Sequence, residues 1–288
     1  MRVKGKKQRN PAKLTGSEEV FKGIITKGPR LLAKRDILRA TKVRWTHSGG
    51  NRVIVDEGKN LVMYEVMFQD GTFKEIHRTK KPIAINDFDT GFERIIVATR
   101  HGYKLLDSEL EPLCTQCTDP SEGSTSHICV SPGLVYSVHE GYSVHEGDTR
   151  RLRMSRIDGN YIEKITDREL EIKPISMASD SSSVYFATSS GIRRLDTRKF
   201  NLESALDNGI IPYQPHEANS IQCTDNNLLI CNGRFSIINT DNGQEIWDNP
   251  HPDKIISATL NPPRERIATI AAETRDERVQ HRLRVYRR

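Results

Sequence analysis

Three groups of residues in this 288-residue chain are of types that could do chemistry. Cys114 and Cys117 form a C-x2-C pair, and His127 and Cys129 follow. Together they are donors of the kind that hold zinc tetrahedrally. Against that, a pair spaced i, i+3 on a strand points to opposite faces, and buried structural cysteines are the commoner outcome. The second group is the tandem hexapeptide YSVHEG-YSVHEG, Tyr136–Gly147, which concentrates His139, Glu140, His145 and Glu146. Those types suit metal or acid–base work. A duplicated hexamer reads more simply as a local expansion, with the first copy a strand and the second bulging into a lengthened loop. The third group is a run of bases at the front of the chain: Arg2, Lys4, Lys6, Lys7, Arg9 and Lys13, with no acid before residue 18. Flexible lysines and arginines suit phosphate contacts, whose strength depends on neutralised charge and falls with salt.

Enzyme signatures are otherwise missing. The chain has no phosphate-binding glycine loop, no G-x-S-x-G elbow and no H-E-x-x-H helix motif. His47, His77, His101, His216 and His251 sit singly near turn-forming residues. A non-catalytic protein needing no cofactor or metal is expected; a site assembled from scattered loops is the alternative.

The net charge of +6 is unevenly spread. The first 45 residues hold fourteen bases and three acids, so the rest of the chain is mildly acidic. No apolar run reaches the roughly 18–20 residues that cross a bilayer, and the basic front lacks the apolar core of a secretory leader. Five cysteines, an odd number, fit a reducing compartment better than a disulfide framework. A soluble nuclear or cytoplasmic protein without membrane partners is expected.

The elements that would position these groups are strands. Asn219–Trp247, NSIQCTDNNLLICNGRFSIINTDNGQEIW, contains four short apolar runs separated by Asp-Asn and Asn-Gly turns. That is the pattern of an antiparallel meander. A lone meander cannot bury both faces, so it needs neighbours like itself. They are present: similar units start near residues 42, 82, 126, 174, 219 and 254, a period of roughly 35–48 residues. The sixth unit lacks a fourth strand, whereas Val20–Thr26 reads as a strand without a unit. Ring closure by an N-terminal strand solves both problems and removes two open edges. Between them, Arg30–Ala40 has Leu31, Leu32, Ile37 and Leu38 near helical spacing and is expected to form a turn or two of helix. The expected organisation is a disordered basic tail over 1–17 and one all-β domain over 18–288.

These units resemble degenerate WD40 repeats, and GRFSIINTDNGQEIW also resembles the D-x-x-x-G-x-x-x-W signature of quinoprotein-like blades. No unit carries both the Gly-His start and the Trp-Asp end. The resemblance implies a β-propeller, six-bladed on this parsing, with a seven-bladed ring or a β-sandwich as rivals. It implies a scaffold for other proteins. The basic tail would add RNA, aided at the same rim by Arg282, Arg284, Arg287 and Arg288. Val184–Arg198, VYFATSSGIRRLDTR, resembles the box by which WD40 substrate receptors dock on the DDB1 adaptor of cullin-4 ubiquitin ligases. Asp196 and Arg198 match that box, with Leu195 standing where it has tryptophan. The alternative for these two residues is an ordinary strand corner.

Overall fold

The computed structural model describes residues 30–46, 50–117, 124–143, 147–197, 218–224, 227–240, 245–249, 254–261, 266–275 and 278–287. Every regular element among them is a strand. Blade 1 is the meander β2 (Lys42–Trp45), β3 (Arg52–Asp56), β4 (Leu61–Met67) and β5 (Thr72–Arg78). Blade 2 is β6 (Ile85–Gly91), β7 (Arg94–Thr99), β8 (Gly102–Leu106) and β9 (Pro112–Cys117). Blade 3 is β10 (Ser124–Ser131), β11 (Leu134–Ser143), β12 (Gly147–Asp158) and β13 (Tyr161–Glu169).

Three described strands make blade 4: β14 (Ser176–Ser179), β15 (Ser183–Thr188) and β16 (Gly191–Asp196). The weak fourth strand expected somewhere in 200–211 lies outside the described residues. Blade 5 is β17 (Ser220–Thr224), β18 (Asn227–Cys231), β19 (Phe235–Asn239) and β20 (Glu245–Asn249). Blade 6 is β21 (Lys254–Asn261), β22 (Arg266–Arg275) and β23 (Arg278–Arg287), completed by β1 (Arg30–Ile37). The inner strands touch in the order β2, β6, β10, β14, β17 and β21, and β21 returns to β2. The six-bladed ring is closed.

Closure differs in one respect from expectation. Arg30–Ile37 is not helical; it pairs antiparallel with β23 from Arg30↔Arg287 to Ile37↔His281. A register shift between Leu31 and Ala33 breaks the period-2 alternation. Leu32, Ala33 and Ile37 consequently pack on the core at a spacing that imitates a helix. Val20–Thr26, the strand expected to close the ring, lies outside the described residues.

Two forces hold the blades together. Each of the six seams carries an apolar cluster, such as Val43, Trp45, Ile270 and Leu283 between blades 6 and 1, or Ile54, Met63, Phe88 and Val97 between blades 1 and 2. Fully burying one such side chain contributes about 1.5–3 kcal/mol. The second force is polar, because each inner strand has a free edge whose N–H groups need acceptors. At four of the six seams, side chains of the preceding blade supply them among the described residues. Asp87 accepts from Ile128 N–H at 3.0 Å and Asp89 from Val130 N–H at 2.9 Å. Ser257 and Thr259 accept from Val43 and Trp45, Ser176 from Ile221, and Gln222 from Leu260. Most inner strands therefore alternate, apolar toward the preceding blade and polar toward the next.

The seam between blades 2 and 3 closes over Gly91. A Cβ there would sit 2.5 Å from Val130 Cγ1. Gly91→Ala is expected to destabilise the fold by about 1–3 kcal/mol through overpacking. The double variant Gly91→Ala/Val130→Ala is expected to be no less stable than Val130→Ala alone, as read by urea denaturation.

Candidate functional site

A propeller offers its axis, its two faces and its rim. Charged side chains of the inner strands pair at two levels. At the first, Lys42 of β2 is bonded to Asp87 of β6. Burial would raise the Asp87 carboxyl, but Lys42, His127 and the Ile128 N–H hold it below its ordinary value. Burial and neighbouring Arg44 push Lys42 down, with Asp87 opposing them. At the second level, Arg44 Nε donates to Asp89 at 3.0 Å. Its Nη2 donates to the Ile221 carbonyl of β17 at 3.2 Å, although β2 and β17 are not neighbouring blades. Arg44 thus reaches over blade 6's inner strand and is only 2% exposed. The guanidinium links blade 1 to blades 2 and 5.

The four zinc-type residues are not gathered into a site. Cys114 and Cys117 fall on the outermost strand of blade 2, whereas His127 and Cys129 fall on the innermost strand of blade 3. The His127 ring lies 3.0 Å from Ser126 Oγ through Nδ1 and donates from Nε2 to the Ile175 carbonyl at 3.0 Å. Cys129 is buried in the seam with blade 4, and burial raises its thiol pKa. No metal-ligand cluster is found among the described residues.

The first copy of the hexapeptide is strand, and the second continues the hairpin through Tyr142 and Ser143, whereas Val144, His145 and Glu146 lie outside the described residues. β11 and β12 pair from Leu134↔Arg156 to Ser143↔Gly147, which makes this hairpin long. The β22–β23 hairpin of blade 6 is similarly long, pairing from Arg266↔Arg287 to Arg275↔Arg278. Blades 3 and 6 lie opposite in the ring, so two long hairpins flank one face. His139 sits in the wall of this structure, not in a loop. Its Nε2 is 2.9 Å from Ser137 Oγ, its Nδ1 is 3.4 Å from Thr125 Oγ1, and its edge meets Tyr103.

The bases expected to act together part company. Arg282 donates to Asp36 at 2.7 Å and to Glu273 at 2.8 Å, and Arg284 also binds Glu273. Both are neutralised within blade 6 and are not available at the rim. Arg287 is exposed and stands between Arg30 and Arg266 in the ladder, so three arginines share one face of blade 6. Arg30 and Arg266 are not apparent as a pair in the sequence, where they are far apart; the hidden signal is that each occupies a strand end at the same level. The tail residues Arg2, Lys4, Lys6, Lys7, Arg9 and Lys13, together with Arg288, lie outside the described residues.

Asp196 ends β16 opposite Ser183 and is half-buried, and Leu195 before it is buried in the seam between blades 3 and 4. Arg198, its expected companion, lies outside the described residues.

No family model matches the chain, and no curated protein sequence matches it. Solved structures do. Superposition on the WD40 domain of Neurospora crassa Pan2 gives a TM-score of 0.57 at 8% identity, covering 90% of this chain and 95% of that one. The fold is a six-bladed β-propeller, similar to that of this WD40 domain. A luciferin-regenerating enzyme is similar at a TM-score of 0.56 and 12% identity, again covering 90% and 95%. A chain of the mitotic checkpoint complex aligns over 100% of this propeller and 99% of its own length, at a TM-score of 0.52 and 11% identity. Identities this low speak to the fold of this chain and not to its activity.

Burial, and then the nearby Arg153 charge, push the His139 pKa down to about 3. In the unfolded chain the group protonates near 6.5, so between those values the unfolded state holds a proton that the native state refuses. Native stability is therefore expected to fall as pH drops from 6.5 toward 3, by on the order of a few kcal/mol. Urea midpoints across that window are expected to flatten in His139→Gln.

Proposed function

We propose that this propeller is a non-catalytic platform that holds other proteins, within a nuclear or cytoplasmic assembly that contains RNA. The WD40-type fold supports the platform, because loops on two faces and a rim provide docking sites without chemistry of their own. A reaction at the inner strands is disfavoured by the commitment of the buried Arg44 guanidinium to Asp89 and the Ile221 carbonyl. An enzyme reading would need a site elsewhere on the surface.

The observation that carries the RNA part is where the basic front of the chain joins the body. Residue 30 is the outer member of the row Arg30, Arg287 and Arg266. Like charges directly opposite on neighbouring strands are destabilising, and such a row is relieved by a polyanion. Arg2, Lys4, Lys6, Lys7, Arg9 and Lys13 would extend that attraction along phosphate, with a salt dependence set by the number of phosphates neutralised. Docking on a DDB1-type adaptor through Asp196 and Arg198 draws less support from the geometry, since the tryptophan of that box is replaced here by a core leucine.

Deleting residues 1–17 is expected to weaken RNA binding and flatten its salt dependence while leaving the melting temperature unchanged. The slope of log K against log salt should fall by about 0.7 for every phosphate that the tail neutralises. Unaltered binding would remove the tail from the interface.

A further inference from the structure

The six hairpins that link each inner strand to its neighbour open on one face of the ring. At the level where the inner strand ends, the opposing residue on the second strand is equivalent in all six blades. In blade 6 it is Arg266, opposite Asn261; in blade 1 Arg52, whose carbonyl accepts from Thr46 N–H; in blade 2 Arg94, opposite Gly91. In blades 3, 4 and 5 the same position is Leu134, Ser183 and Asn227. Three consecutive blades thus carry arginine and the other three carry none. We infer that the arc Arg266–Arg52–Arg94 is a binding site for the backbone of single-stranded RNA; the inference rests on the RNA reading of the proposed function and gives it a place on the body.

The arc is built. Arg266 is fixed by donating from Nη1 to Asn51 Oδ1 at 3.0 Å and by lying 3.8 Å above the Phe68 ring centroid. Arg52 and Arg94 border a cavity of about 250 Å³ at the seam of blades 1 and 2. Neither Arg52 nor Arg94 makes a side-chain ion pair with a described residue. Glu93, on the cavity lip, and Glu65, opposite Arg52 in the ladder, temper the positive charge without cancelling it. Arg287 and Arg30 continue the basic surface outward along blade 6.

An aromatic ring stands on the same arc. The turn between β6 and β7 places Phe92 and Glu93 at φ 52° and 59°. Such a two-residue turn favours asparagine or glycine, and a phenylalanine there is strained. It leaves Phe92 41% exposed beside Arg94. A single cation would suit a lone phosphate. Cations repeated once per blade, with an exposed ring beside the last of them, suit a repeating anion that carries bases. A flexible single strand can follow the curve and stack a base on Phe92.

The test is binding of fluorescein-labelled oligouridylate across a salt series, in the full chain and in the chain lacking residues 1–17. Arg52→Gln/Arg94→Gln/Arg266→Gln is expected to lower the salt slope by about 2, in both backgrounds. Phe92→Asn, which removes the ring and relaxes the turn, is expected to cost about tenfold in affinity with the slope unchanged. A triple variant with wild-type affinity and slope overturns the arc, even where tail deletion abolishes binding and so keeps the tail reading. A response that persists without the tail supports the arc even if the tail proves dispensable. Tighter binding of a doubly phosphorylated serine peptide than of oligouridylate overturns the assignment to RNA. Should the triple variant melt early, Asn227→Arg decides the matter: it adds a fourth cation at the equivalent position of blade 5. A steeper salt slope supports the arc and an unchanged slope overturns it.

Discussion

The outer sheet edges of a propeller can be left to water, but its inner edges are buried, and the whole ring depends on satisfying them. Each inner strand turns N–H groups toward the axis, where no further strand can pair with them. An unmet buried N–H costs about 1–3 kcal/mol, so every seam would weaken without acceptors. The solution here is a polar side chain facing the next blade. Asp87 and Asp89 do the most, since each carboxylate accepts from a backbone N–H of blade 3 while binding a cation of blade 1. Three blades are tied through two residues.

The charges at the axis follow from that arrangement. Lys42 and Arg44 are the counter-ions that make two buried carboxylates tolerable, and Arg44 directs its remaining donors to the Val43 and Ile221 carbonyls. What looks like a reactive cluster is a bonded one, in which each charge already has its task. Chemistry built for partners is accordingly displaced to the surface. There the hairpins of blades 3 and 6 flank one face, and basic residues gather on the other near blades 6, 1 and 2.

Much of the ring is legible in the chain. The six unit starts fall within a few residues of β2, β6, β10, β14, β17 and β21, because Asn-Gly and Asp-Gly turns mark hairpins that tertiary packing rarely overrides. The closing strand is not, since its bulge spoils alternation and its partner is remote in sequence. The candidate surface is less legible for the same reason. Arg52, Arg94 and Arg266 share a structural level that no local window can reveal, whereas the bases of the tail are conspicuous simply because they are close together. Arg282 and Arg284 look available in the sequence, yet Glu273 and Asp36 stand beside them in the fold. Linear charge density is a poor guide to available charge.

The pairing of β1 with β23 has a consequence for the order of events during synthesis. Arg282 and Asp36, bonded across that junction, are 246 residues apart. At about 5–20 residues per second, β1 leaves the ribosome on the order of ten seconds or more before its partner is made. In that interval its inward residues Ala33 and Ile37 have no core to enter, and its backbone has an unpaired edge on each side. Bringing such distant segments together also costs about 5 kcal/mol in chain entropy, offset only when the last hairpin docks. The nascent ring is thus an open arc whose first strand must wait, and residues such as Lys34 and Asp36, which keep that strand charged, protect it while it does.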